Sequence, residues 1–258
     1  MDLNKLLKVA TFAGKIMLES GAETYRVEET ICRICLSFGV ETADSFVTPT
    51  GIMVSISDNN ETLSLIKRVT SRGVDLNKID KVNDLSRLLQ DNKNNTGIED
   101  FYESLLIVNK GDRYSVLTTL IFSSIAAGAF SYLFGGDIKD LISATFVGLI
   151  IKIITNYFEK LAINEFFINS IGGGISALLA IILFTLGVAS HIDKTIIGAI
   201  MLLVPGLAIT NAIRDTIAGD YLAGITKASE AFLIAISIAV GTGAVLSFWI
   251  NTLGGSII

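Results

Sequence analysis

The chain has 258 residues, 51% of them hydrophobic, and a mean hydropathy of +0.61, well above what a soluble domain with a polar surface shows. Its net charge is -5 and it carries no basic run to track a phosphate backbone, which argues against a nucleic-acid partner. The charges are uneven: residues 1–113 hold 14 of the 20 Lys and Arg and 17 of the 25 Asp and Glu, so a soluble domain over 1–113 and a membrane domain over 114–258 are expected, with the boundary at Arg113.

The first 17 residues, MDLNKLLKVATFAGKIM, have scattered lysines and no unbroken apolar core, unlike a secretory signal. Leu3, Leu6, Leu7, Ala10, Ala13 and Met17 recur at helical spacing, giving an amphipathic helix that packs on a domain rather than on a membrane surface. A second such helix lies in 21–38, with Val27, Ile31, Ile34, Cys35 and Phe38 on one stripe. Beyond Gly39, Ile52, Val54 and Ile56 alternate with Met53, Ser55 and Ser57, a strand pattern. Asp58-Asn59-Asn60 signals a turn, and 61–69 reads as the returning strand of a hairpin. Asp75 is placed to cap a helix carrying Leu76, Ile79, Val82, Leu85 and Leu89, and Thr96 to cap one carrying Ile98, Phe101, Leu105 and Val108. The first third is thus expected to be α+β.

Cys32 and Cys35 form a CxxC. A zinc site would need two more ligands, yet the chain has no other cysteine and its one histidine, His191, is far away. The pair also lies inside a helix rather than at a strand-to-helix junction, so core packing is the expected role. No cofactor-binding motif is present, and no cofactor or metal is expected.

Five transmembrane helices can be drawn in an all-α bundle, at 115–134, 141–158, 169–189, 195–213 and 228–250, each long enough to cross a hydrocarbon layer of about 30 Å. With the soluble domain cytoplasmic, Lys110, Arg113, Lys160, Arg214 and Lys227 are inside, Lys152 snorkels there, and Lys139 and Lys194 are outside. That bias puts the N-terminus in the cytoplasm and the C-terminus outside a cell membrane. Small residues such as Gly128, Gly172–Gly174, Gly198, Gly241 and Gly243 suit close helix packing in lipid. His191 with Asp193 is expected in an outer loop, as a surface feature rather than a proton relay.

One segment stands apart: LVPGLAITNAIRDTIAGDY at 203–221. Pro205 cannot donate to a helix and clashes with the preceding turn, so the fourth span is expected to kink or break there, with Gly206 loosening the next step. The half-helix ends of a broken helix carry partial charge and can form substrate sites in transporters. Asn211, Arg214 and Asp215 follow at spacings of three and four, so Asn211 shares a face with both charges. The expected substrate-binding residues are Pro205, Gly206, Asn211, Arg214 and Asp215. Asn156, Asp220 and Glu230 are expected at a coupling site or gate. A plain alternative is a packing kink followed by a solvated helix end.

Residues 19–58 with their GAETYRVEE and PTG, SRGVDLNKIDKVNDLSRLL at 71–89, and VPGLAITNAIRDTIAGDYLAGITKASEA at 204–231 together resemble the threonine/serine exporter family, and specifically the larger subunit of its split form. The resemblance covers nearly the whole chain. It implies a cytoplasmic domain joined to a membrane domain, secondary-active export of threonine, serine or a small dicarboxylate such as succinate, and a second small integral-membrane subunit as partner, with a homo-oligomer compatible. No G-x-x-x-x-G-K-[ST] loop for ATP is present, in keeping with that implication. Two other classes remain at this point: a membrane-anchored enzyme using the polar groups of 23–50, and an assembly or regulatory subunit that does not itself transport.

Overall fold

The computed structural model describes residues 2–71, 73–91, 96–111, 114–161 and 163–254. Arg113, expected at the domain boundary and among the inside cations, lies outside them. The chain divides into two compact units, Met1–Asp112 with Leu207–Ser229, and Arg113–Gly206 with Glu230–Ile258.

In the first unit, α1 (Leu3–Glu19) starts where the Asp2 carboxylate accepts the Lys5 amide at 3.1 Å. Leu6, Ala10, Ala13 and Met17 are fully buried, so this helix packs on a domain as its periodicity suggests. Against it lies α2 (Thr24–Ser37), contributing Val27, Ile31, Ile34 and Cys35. Gly14 permits the approach, since a Cβ there would sit 2.7 Å from Ile31 Cγ1. A three-stranded antiparallel sheet follows, β1 (Thr42–Thr48), β2 (Gly51–Asp58) and β3 (Glu61–Arg68), in the order β1-β2-β3. Its inward row of Val47, Ile52, Val54 and Ile56 closes the same core. The expected hairpin is β2–β3, turning at Asn59 and Asn60, both with positive φ (48° and 67°), as a primed two-residue turn requires. β1 was not expected, because Thr-Ala-Asp-Ser has weak strand propensity and only its alternate burial marks it.

Two further helices complete the core. α3 (Leu76–Asp91) begins with the Lys78 amide donating to Asp75 Oδ1 at 3.1 Å, the expected cap. α4 (Ile98–Lys110) is capped by Gly97 rather than Thr96, so it starts one residue later than its spacing suggested. Phe101 and Leu105 of α4 are buried beside Ile79 and Val82 of α3.

The second unit holds α5 (Val116–Leu133), α6 (Ile138–Lys160), α7 (Glu165–Thr185), α8 (Ile192–Ile200) and the later part of α10 (Tyr221–Leu253). Small residues set its packing. A Cβ on Gly173 of α7 would lie 2.6 Å from the Ile238 carbonyl of α10, and one on Gly148 of α6 would lie 2.5 Å from Ala127 Cβ of α5. Backbones at these crossings are nearly in contact, as association without a hydrophobic driving force demands.

The expectation of five continuous spans is corrected. Among the described residues four helices are long and apolar enough to cross a membrane: Val116–Leu133, Ile138–Lys160, Glu165–Thr185 and Tyr221–Thr252. The span drawn at 195–213 is divided. α8 ends after nine residues, Met201–Leu203 turn, Val204 and Pro205 are irregular, and a separate helix α9 (Gly206–Ala218) begins. Pro205 removes a donor where the helix would have continued. From Leu207 onward, α9 belongs to the first unit, along with α10 as far as Ser229, whereas the charge boundary would have left 207–229 in the membrane part.

Candidate functional site

The polar residues singled out in 203–221 meet the turn between α1 and α2. That turn needs its glycine: Gly21 has φ +87°, and a Cβ there would lie 2.9 Å from the Gly73 carbonyl. The segment after β3 seals the same turn, with the Gly73 amide donating to the Glu19 carbonyl at 2.8 Å and the Asp75 amide to the Ser20 carbonyl at 3.0 Å. Three stretches far apart in sequence, around Gly21, Gly73 and Asn211, therefore converge.

Groups on the turn find partners on α9, on early α10 and at Asp220 between them. Asn211 Nδ2 donates to the Gly21 carbonyl at 2.8 Å, and Lys227 Nζ to the Ala22 carbonyl at 3.2 Å. Arg214 Nη1 donates to Glu23 Oε1 at 2.6 Å, while Arg26 Nη1 holds the other carboxylate oxygen at 3.3 Å. The Thr24 amide donates to Asp215 Oδ1 at 3.1 Å, and its hydroxyl to Asp220 Oδ2 at 3.0 Å. Asp215 Oδ2 pairs with Lys227 Nζ at 2.7 Å.

The arrangement follows from helix physics. Glu23 stands at the N-cap of α2 but makes no side-chain cap; its carboxylate turns to the two arginines instead. The orphan amide of Thr24 in the first turn is capped by Asp215, whose charge also suits the positive end of the helix. Asp215 is fully buried and Lys227 is 8% exposed, so each charge depends on the other. Burial raises the affinity of Glu23 for a proton, but its backbone hydrogen bond, Arg214 and Arg26 outweigh this and leave its carboxyl below the ordinary range. Glu28, one turn further along α2, is pushed up, first by burial and then by Asp220 and Asp215, despite the Val47 amide it accepts at 2.7 Å.

Of the expected site residues, Asn211, Arg214, Asp215 and Asp220 come together here, Arg214 with its side chain 57% exposed. Pro205 closes the irregular stretch and Gly206 opens α9, its amide donating to the Val204 carbonyl at 2.9 Å. Asn156 lies half-buried in α6, and Glu230 lies in the part of α10 that belongs to the second unit. Sequence reasoning missed Gly21, Thr24 and Lys227 as partners and gave Glu23 only to the enzyme alternative. A lysine inside the apolar run AGITKASEA was the available signal. Cys35 is buried in the core, its thiol pushed by burial to about 12, and Cys32 Sγ lies 3.3 Å from Ser45 Oγ.

A second polar cluster lies in the second unit, where Asp137, Asp140 and His191 bring ligand atoms within 4.8 Å of one another. Metal ligation is a poor fit, because both Asp140 oxygens are already engaged. Oδ1 accepts the Ser190 and His191 amides, each at 2.8 Å, and Oδ2 accepts the Asp137 amide at 3.0 Å and faces His191 Nδ1 at 2.7 Å.

Comparison with known proteins gives a consistent outcome. The model of the family described as "Putative threonine/serine exporter" (ThrE) matches residues 8–249. The chain is similar to the "Probable succinate transporter subunit YjjP" of Klebsiella aerogenes, at 19% identity over 238 residues, covering 90% of each chain. Against the protein of that name from Escherichia coli K12 the identity is also 19%, covering 92% of this chain and 91% of the relative. No solved structure matches. With the family model covering nearly the whole length, this multi-pass membrane chain belongs to the threonine/serine exporter family.

Proposed function

We propose that the chain is one subunit of a secondary-active exporter of a small amino acid or dicarboxylate, and that it works with a second small integral-membrane subunit. The observation that carries the reading is the buried cluster that fixes α9, the helix directly after the break at Pro205, to the turn at Gly21–Thr24. Family membership supplies transport, and the word "subunit" in the relatives' names favours a partner.

The route of the chain supports a discontinuous crossing. Residues 1–112 and 207–229 pack into one compact unit and so share one side of the bilayer. Three crossings by α5, α6 and α7 leave the chain on the other side, so 186–206 must return it. The nine residues of α8 rise about 14 Å, less than half of the roughly 30 Å hydrocarbon layer, and the turn at Met201–Leu203 with irregular Val204 and Pro205 continues the return. The fourth crossing is then a half-helix followed by irregular backbone, an arrangement tolerated in membranes where it lines a cavity or is covered by protein. α10 makes the fifth crossing, putting the two termini on opposite sides. Lys110, Lys160, Arg214 and Lys227 fall on the first unit's side and Lys139 and Lys194 on the other, favouring a cytoplasmic N-terminus and an outside C-terminus.

Within this scheme Pro205 and Gly206 shape the substrate path, and Arg214, whose exposed fork can bind both oxygens of a carboxylate, receives the substrate. Asn211 and Asp215 belong to the same site and set the position of α9 beside it. Asn156, Asp220 and Glu230 serve the gate. Reconstituting the chain with its partner in liposomes and following labelled succinate, serine and threonine tests the proposal. Efflux of at least one, lost in Arg214→Met while the complex still assembles, is expected. Absence of flux for all three would overturn it.

A further inference from the structure

His191, the single histidine of the chain, is not used by the cluster on α9. It caps α8 from a backbone position, and its ring meets a carboxylate that is fully buried. Asp140 is the third residue of α6, in a reciprocal capping box with Asp137. By accepting the Ser190 and His191 amides as well, it clips the start of α6 to the start of α8. Asp137 reinforces the clip by accepting the Ser190 hydroxyl at 2.6 Å. With three backbone amides already donating to Asp140, the contact to His191 is made with Nδ1 as the donor, which leaves Nε2 in the half-exposed ring as the place where a proton comes and goes.

We infer that His191, held by buried Asp140, is a proton-binding site that fixes the half-helix α8 when protonated and loosens it when neutral. Protonation at Nε2 turns a hydrogen bond into an ion pair with a carboxylate that has no water to share its charge. On the proposed route this site lies at the outer membrane surface, so it reads the external pH. α8 runs from this clip directly to the break at Met201–Pro205, which ties the proton to the discontinuous crossing. The charged groups around the ring are Asp137 and Asp140 from α6 and Asp193 from α8, the last paired with Lys194 at 3.1 Å. α5 carries no charged side chain, with Tyr132 its one titratable group, and the end of α7 is apolar. All three carboxylates therefore favour the protonated ring, the hydrogen bond to Asp140 first, and hold its proton affinity above the ordinary value of 6.5. Raised in this way, the site contributes fully below 6.5 and loses its contribution as pH rises through the folded-state value.

The consequence for flux rests on the exporter reading; the titration does not. Because His191 is alone, one labelled imidazole signal of the full chain in lipid nanodiscs follows it. The expected result is a midpoint above 6.5 that moves down in Asp140→Asn, which keeps an acceptor for the two amides, and is little changed in Asp193→Asn. In proteoliposomes, the dependence of succinate, serine or threonine flux on the pH of the His191 side should flatten in His191→Gln. A midpoint at or below 6.5, or one that ignores Asp140→Asn, overturns the site whatever the flux. A shifted midpoint with an unaltered flux profile in His191→Gln overturns its link to transport. If no substrate moves in the unaltered protein, the exporter reading fails and the titration still decides the proton site.

Discussion

Asp215 does two things that are each explained by elementary chemistry. It supplies the acceptor that the first turn of α2 lacks, because Glu23 at the N-cap is drawn away by Arg214 and Arg26. It also carries the charge that makes buried Lys227 tolerable. Removing one member of such a pair strands the other, so Asp215→Ala should destabilise the chain by about 3–5 kcal/mol. Asp215→Asn with Lys227→Met removes both charges and keeps an acceptor for Thr24. It should therefore cost less than the two single changes together, and a double-mutant cycle by thermal unfolding in detergent measures the difference. Gly21→Ala should lose more than about 1 kcal/mol, since its φ of +87° and the nearby Gly73 carbonyl both oppose a Cβ. Glu23 offers a pH test. Its folded-state affinity for protons is lowered from 4.5, so its contribution is present above that value and is lost as pH falls through the lower folded-state value. Glu23→Gln should remove that component from the acid limb of the stability curve.

Among the elements, those with a strong period were legible from residue pattern alone. α1, α2, α3 and the β2–β3 hairpin lie where apolar spacing placed them, because each buries one face in the same core. β1 was hidden by Ala, Asp and Ser, and its place follows from pairing with β2 and from Glu28, which accepts the Val47 amide. The fourth span shows a different limit. Hydropathy averages over 195–213 and does not report that the apolar run changes into an amphipathic helix after Pro205, with Asn211, Ala212 and Asp215 on its buried face. Proline chemistry predicts an interruption, but only the tertiary partners 190 residues away reveal which compact unit receives α9. Pro205→Ala restores the missing donor and should let α8 extend toward α9, lowering flux in the liposome assay while leaving expression intact. At the α7–α10 crossing, Gly173→Val should prevent close packing, because its Cβ would sit 2.6 Å from the backbone carbonyl of Ile238, which cannot move as a side-chain tip can. Loss of monodisperse protein in detergent is the expected readout.

At the scale of the whole molecule, membership in an exporter family sets the enzyme alternative aside and makes the chain a transporter. Its division into two units is not the division that charge density suggested, because the chain returns from the second unit to complete the first with 207–229. On the proposed route that return adds a discontinuous crossing between the three long helices that precede it and α10, which follows it. Cysteine accessibility tests this path with little background. Cys35 is buried with its thiol pushed to about 12 and Cys32 is also pushed up by burial, so both should react slowly with maleimides. Cysteines replacing Lys139 and Lys194 should react with an impermeant maleimide applied to intact cells. Those replacing Glu61 and Tyr221 should react only after the membrane is opened. Labelling of Lys139→Cys without Lys194→Cys would count against the crossings of α6 and α7, and labelling of Tyr221→Cys in intact cells would remove the discontinuous fourth crossing.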